Sequence, residues 1–212
     1  MIKIVGIGPG NPEYMTLAAV NNILSAEILA GAERNVENAF ELFRSVGKEG
    51  DIAQTEVILL KTDMQKFIKE VSGNTEKDVV VIVSGDPGFY SLLDTFNSAK
   101  VKVEAVPGIS SFQYLYSKLG LSYKNHRLLS CHGRDTDFVK ILGEDDGVFL
   151  LTDGENTPPK ICKRLVTAGF GNAKVHIGAN LSYDNEEIVS GLAKDFVESD
   201  FSILSSVIVE KG

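Results

Sequence analysis

Positive charge, cysteine and long apolar runs are all scarce in this chain, and each shortage excludes something. Lys and Arg number 21 against 29 Asp and Glu, a formal net charge of −8. That balance argues against non-specific nucleic-acid binding and means that an anionic ligand has to be met by a local basic patch. The two cysteines, Cys131 and Cys162, have no metal or redox spacing and read as reduced thiols of a cytoplasmic protein. No apolar run approaches the roughly 20 residues of a membrane helix. The N-terminus enters a strand, Ile2-Lys-Ile-Val-Gly6, without a signal-peptide layout, so no membrane partner is expected. There is no Gly-Lys-Ser/Thr phosphate loop, no HExxH, no serine elbow and no Cys/His pair at useful spacing. No standard catalytic constellation and no metal site are expected. Neither an internal repeat nor a low-complexity segment is present.

What is there is organised around Val79-Val-Val-Ile-Val-Ser-Gly-Asp-Pro-Gly-Phe-Tyr-Ser91. Five apolar residues, all of them β-branched, predict a strand buried on both faces. The run stops at Gly85-Asp86-Pro87-Gly88, where glycine permits positive φ and close approach of a ligand, and Pro87 stiffens the loop. Phe89 to Ser91 read as the start of a helix. In open α/β sheets, ligands sit beyond the carboxyl ends of strands, where this loop falls; the alternative is an ordinary tight turn.

Two further strand-end loops share this character. Gly6-Ile-Gly-Pro-Gly-Asn-Pro12 lacks the third glycine of a dinucleotide fingerprint, because Asn11 stands there, and Pro9 and Pro12 remove amides that a phosphate cradle would use. Pro107-Gly-Ile-Ser-Ser-Phe-Gln113 follows a strand over Val101 to Val106, and Ser110 is placed to cap a helix running to Leu119. The three loops either converge on one site or each merely cap a helix. Other helices are expected from a Thr16 cap to about Ala26, with Leu17, Val20, Ile23 and Leu24 on one face. Others are expected over Val36 to Phe43, after Thr62 or Asp63, over Asp137 to Leu142, and over Pro158 to Ala168 after a Thr157 cap. The remaining strands are expected at Ile28 to Ala30, Glu56 to Leu60, Arg127 to Ser130, Gly147 to Leu151, Ala173 to Gly178, Glu187 to Ser190 and Ser206 to Glu210. The long helix-free stretches in the second half suggest antiparallel pairing. The fold class is therefore α/β in two domains, 1–118 with a mostly parallel sheet and 119–212 with a mixed sheet.

The histidines, His126, His132 and His176, are scattered and read mainly as structural or surface groups. Cys131-His-Gly-Arg134 differs, because it follows a strand and sets His132 and Arg134 where a carboxylated ligand could be held; the alternative is a surface turn. A site of glycine loops, hydroxyls and backbone, with no strong acid or base, suits chemistry carried by a reactive cofactor. Methyl transfer from S-adenosylmethionine is such a case, because the protein then mainly aligns donor and acceptor and excludes water.

The three loops together resemble the tetrapyrrole (corrin/porphyrin) methylase family. His132-Gly-Arg134, Leu151-Thr-Asp-Gly-Glu-Asn-Thr-Pro158 and Gly178-Ala-Asn-Leu-Ser-Tyr-Asp-Asn-Glu-Glu187 narrow the likeness to its precorrin-6Y/cobalt-precorrin-7 C5-methyltransferase subfamily. Six motifs in this order cover essentially the whole chain. The resemblance implies an S-adenosylmethionine cleft between the domains, S-adenosylhomocysteine as product, and usually a homodimer. It implies that Gly85, Asp86, Pro87 and Phe89 hold the methionine end of the cofactor, that Ser110 and Ser111 contact it, and that Thr152, Asp153, Gly178, Ala179, Asn180 and Leu181 supply the adenosine side. Pro9 belongs to the same set and borders the tetrapyrrole trough, with Gly8 and Gly10 beside the substrate. Ala179 stands where the family pattern has Glu. Some relatives carry a fused decarboxylating methyltransferase domain; this chain ends at Gly212, which implies C5 methylation alone and a separate C15 enzyme as partner. A nucleophilic meso carbon would take the methyl group directly, and Asp86, Asp153 and His132 are the candidates for moving a proton. The alternatives are a methylase of the same fold acting on protein or ribosomal RNA, and a non-catalytic nucleotide-sensing α/β module.

Overall fold

The computed structural model describes residues 1–74 and 76–211. They form two compact units, Met1–Ser110 and Ser111–Gly212. The boundary expected from sequence, at 118/119, falls at the last residue of the helix Ser111–Leu119. That helix packs with the second unit, where the tilted Tyr116 and Phe149 rings lie 6.4 Å apart and the Tyr116 hydroxyl lies 2.6 Å from His126 Nδ1.

The first unit holds β1 (Ile2–Gly6), α1 (Leu17–Leu24), β2 (Ile28–Gly31), α2 (Glu33–Ser45), α3 (Glu49–Ile52), β3 (Glu56–Leu59), α4 (Met64–Ser72), β4 (Val79–Val83), α5 (Leu92–Ser98) and β5 (Glu104–Val106). Its five strands run parallel in the order β3-β2-β4-β1-β5. The two-sided burial expected of β4 is met by strict alternation. Val79, Val81 and Val83 join one core with Phe67, Val71 and Phe96, while Val80 and Ile82 join the other with Ala19, Ile23, Leu42 and Phe43. Each β4 side chain is at most 3% exposed, and each such burial contributes about 1.5–3 kcal/mol.

Thr16 caps α1 by accepting the Ala19 amide, and Asp63 caps α4. Three local expectations are corrected. Leu17 is 82% exposed, because the buried stripe of α1 runs through Ala19 and Ile23. Phe89 to Ser91 do not begin a helix: Tyr90 has φ 50° and α5 starts at Leu92, since the loop must turn before the chain can coil. The strand expected from Val101 is only Glu104–Val106.

The second unit holds α6 (Ser111–Leu119), β6 (His126–Ser130), α7 (Phe138–Glu144), β7 (Gly147–Leu151), α8 (Pro158–Thr167), β8 (Lys174–Ala179), β9 (Glu187–Leu192) and β10 (Ser205–Glu210). The sheet is mixed, in the order β6-β7-β10-β8-β9, with only the first pair parallel. Alternation again divides it. Val148, Leu150, Val175, Ile177, Val207 and Val209 pack with Phe138, Leu142, Ile161 and Leu165 of α7 and α8. Gly178 lies against α6, where a Cβ would come 2.8 Å from Leu115 Cδ1. Buried His176 ties three strands, with Nδ1 2.6 Å from Ser190 Oγ and Nε2 2.8 Å from Glu210 Oε2. Thr157 occupies the N-cap of α8, but its hydroxyl makes no cap bond.

Candidate active site

In the first unit, β4, β1 and β5 are neighbours, so the loops leaving their carboxyl ends meet. They interlock through backbone. Gly8 N donates to Gly85 O at 3.3 Å and Gly85 N donates back to Gly8 O at 2.8 Å. Gly8 and Gly85 have φ of 75° and 69°, which glycine adopts at little cost. A Cβ on Gly6 would lie 2.4 Å from Gly85 O, and one on Gly108 would lie 2.2 Å from it. Three backbones thus touch where no side chain fits. Asp86 fastens them: Oδ1 accepts the Gly88 amide at 2.8 Å and Oδ2 accepts the Gly108 amide at 3.1 Å. Thr16 Oγ1 also donates to Pro107 O at 3.3 Å, joining the third loop to α1. Ser110, 2% exposed, is the last residue of this unit.

The second unit has its own loop cluster beyond β6 and β7. Asp153 is its anchor. Oδ2 accepts the Gly133 amide at 2.7 Å, while Oδ1 accepts the Glu155 amide at 2.9 Å and the Asn156 amide at 2.6 Å. The Gly133 amide foremost, then that of Asn156, hold its carboxyl down to about 2 against the little that burial does to raise it. Asn156 Nδ2 donates to Cys131 O at 2.9 Å, so the loops after β6 and β7 are sewn together. Buried Thr152 spends its hydroxyl on Ser205 O at 2.7 Å. His132 Nδ1 lies 3.3 Å from Thr152 O, which it reaches by donating its proton, and its Nε2 is then left as an acceptor on an exposed side chain. Arg134 is exposed beside it. At the end of β8, Ala179 is buried, as is Leu181 just beyond it, and Asn180 turns with φ 48°, its Oδ1 accepting from Ser202 Oγ at 2.8 Å. Ala179 is 1% exposed inside the β8 ladder.

Of the three residues named for proton transfer, both aspartates are thus committed to backbone amides, and His132 keeps an open ring nitrogen. Sequence reasoning missed three contributors. Gly108 and Asn156 lie inside quoted motifs but gain their roles from partners 22 and 25 residues away. Asn35, 7% exposed at the start of α2, donates to Ile82 O at the carboxyl end of β4 while its Oδ1 has no partner. Among the described residues no group of His, Cys, Asp and Glu is arranged to hold a metal, and no helix is long and apolar enough to cross a membrane.

A parallel glycine-loop unit joined to a mixed-sheet unit is the architecture of an α/β methylase. The chain belongs to the Tetrapyrrole (Corrin/Porphyrin) Methylases, whose family model matches residues 1–197. It is 31% identical over 218 residues to the probable cobalt-precorrin-7 C(5)-methyltransferase of Methanocaldococcus jannaschii, covering 99% of this chain and 98% of that one. It is 32% identical over 215 residues to the cobalt-precorrin-7 C(5)-methyltransferase of Salmonella typhimurium, covering the whole of both. Among solved structures, the precorrin-6Y methylase of Archaeoglobus fulgidus superposes with a TM-score of 0.73 at 26% identity, covering 100% of this chain and 98% of that one.

Proposed function

We propose that this chain transfers a methyl group from S-adenosylmethionine to the C5 meso carbon of cobalt-precorrin-7 during assembly of the corrin ring of cobalamin, releasing S-adenosylhomocysteine. The observation that carries the reading is identity of about a third, end to end, with two proteins of that name. The side-chain-free cradle at Gly6, Gly85 and Gly108 fits a cofactor held largely by backbone.

In this reading Gly85, Pro87, Phe89, Ser110 and Ser111, with Pro9, hold the methionine end, and Asp86 keeps their loop in shape. Thr152, Gly178, Ala179, Asn180 and Leu181 serve the adenosine side, with Asp153 holding the loop of Thr152. When bound, the cofactor supplies an already activated methyl group, so the chain's task is alignment and exclusion of water. His132, through Nε2, is the group able to take up a proton near the substrate. Gly8 and Gly10 border the macrocycle and Arg134 grips one of its carboxylates. The enzyme works as a cytoplasmic homodimer beside a separate decarboxylating C15-methyltransferase.

The test is calorimetry with S-adenosylhomocysteine, followed by incubation with cobalt-precorrin-7 and mass spectrometry for one added methyl. Cofactor binding without transfer would point to a methylase of the same fold with another acceptor. Absence of both would end the reading. Arg134→Ala is expected to weaken tetrapyrrole binding by about one to two orders of magnitude and to leave cofactor affinity alone. An unchanged tetrapyrrole dissociation constant would remove Arg134 from the site.

A further inference from the structure

In the second unit, α7 and α8 leave a pocket of about 510 Å3, lined among others by Val139, Asn156, Lys160, Lys163, Arg164 and Ala168. Its size falls in the range of small-molecule sites, roughly 300–1,000 Å3. Three cations within one and a half turns of α8 are notable in a chain of net charge −8. Arg164 is held in place: its guanidinium lies 4.4 Å over the Phe138 ring and Nη2 donates to Thr136 O at 3.1 Å. Its ionic contact, Asp135 at 3.9 Å, has a side chain 99% exposed and neutralises it weakly. Lys160 and Lys163 have no ion pair or side-chain hydrogen bond among the described residues. Another pocket, of about 290 Å3 in the first unit, is its electrostatic opposite, with Glu27, Asp51 and Glu56 on its walls and Lys77 already paired to Glu56.

We propose that the α7/α8 pocket is a second ligand site, taking a small molecule with a flat apolar body and two or more oxyanions. Val139, Ala168 and the lysine stems provide the apolar floor; Lys160, Lys163 and the fixed Arg164 provide the charge. Asn156, at its edge, also donates to Cys131 O and to Asp153 Oδ1. An occupant therefore touches the side chain that joins the loops after β6 and β7. The proposal does not depend on the catalytic reading.

Two probes distinguish a carboxylate from a phosphate source: uroporphyrin, a carboxylated apolar macrocycle, and ATP. Each is titrated at low salt into wild type, into Lys160→Ala/Lys163→Ala and into Arg134→Ala. Both lysines are exposed, so the double variant should keep the wild-type circular dichroism and its affinity for S-adenosylhomocysteine. The expected result is that at least one probe binds wild type, binds the double variant about tenfold or more weakly, and is released by added salt. The probe that responds names the source. If neither probe binds, or if binding survives the lysine pair and falls only with Arg134, the pocket is not a ligand site.

Discussion

Replacing Gly108 by alanine tests the interlocked loops directly. The new Cβ would lie 2.2 Å from Gly85 O and 2.7 Å from both C and O of Gly6, all backbone atoms. Ordinary contact needs at least 3.4 Å, so the strand ends must separate by about 1.2 Å (3.4 − 2.2). No rotamer relieves such a clash. Overpacking of this kind costs about 1–3 kcal/mol. The shift also strains the 3.1 Å bond from the Gly108 amide to Asp86, and hydrogen bonds to charged groups are worth about 1.5–3 kcal/mol. The variant should lose about 3–5 kcal/mol in urea unfolding and bind S-adenosylhomocysteine at least 100-fold more weakly by calorimetry. Gly88→Ala is the control, because its Cβ meets only Asp86 Oδ1, at 3.2 Å. Wild-type stability and affinity in Gly108→Ala would refute the cradle, and equal damage in both variants would show that the loop tolerates no side chain anywhere.

Gly85→Val should abolish cofactor binding while the sheet persists in circular dichroism, since φ 69° opposes a β-branched residue and β4 is complete before it; unchanged affinity removes this loop from the site. Asp153→Ala should destabilise the second unit by about 2 kcal/mol at neutral pH, because the Gly133, Glu155 and Asn156 amides lose their acceptor. The folded carboxyl is depressed from 3.8 to about 2, so its contribution is whole above pH 3.8 and fades as pH falls towards 2. Wild type and variant should therefore converge in stability over that window, and a gap that persists at pH 2 contradicts the assignment. Cys131 and Cys162 are fully buried, and burial pushes the Cys162 thiol up to about 12. A thiol reagent at pH 8 should label neither in the native protein and both in urea. Rapid native labelling would overturn the packing of that core.

The sequence by itself determined most elements, both sheet types and the places where loops would carry chemistry. Those properties are local. A run such as Val79 to Val83 has one low-energy arrangement when both faces must be covered, and the glycines and prolines after it stop the strand wherever the chain goes next. The tertiary structure decided what each loop residue does. Asp86 and Asp153 read as possible acids, yet both serve as anchors, because the amides they accept come from loops at Gly108 and Gly133. The need for glycine at 6 and 108 follows from the carbonyl of Gly85, brought there by sheet order and not by spacing along the chain. Tyr90 turned where a helix was expected, since the loop geometry outweighed the propensity of Phe89 to Ser91. Helix α6 passed to the second unit because Tyr116 found Phe149 and His126 there. Periodicity and turn chemistry are written in neighbouring residues, whereas hydrogen-bond partners and close approaches depend on atoms far apart in the chain that only the packed sheets bring together.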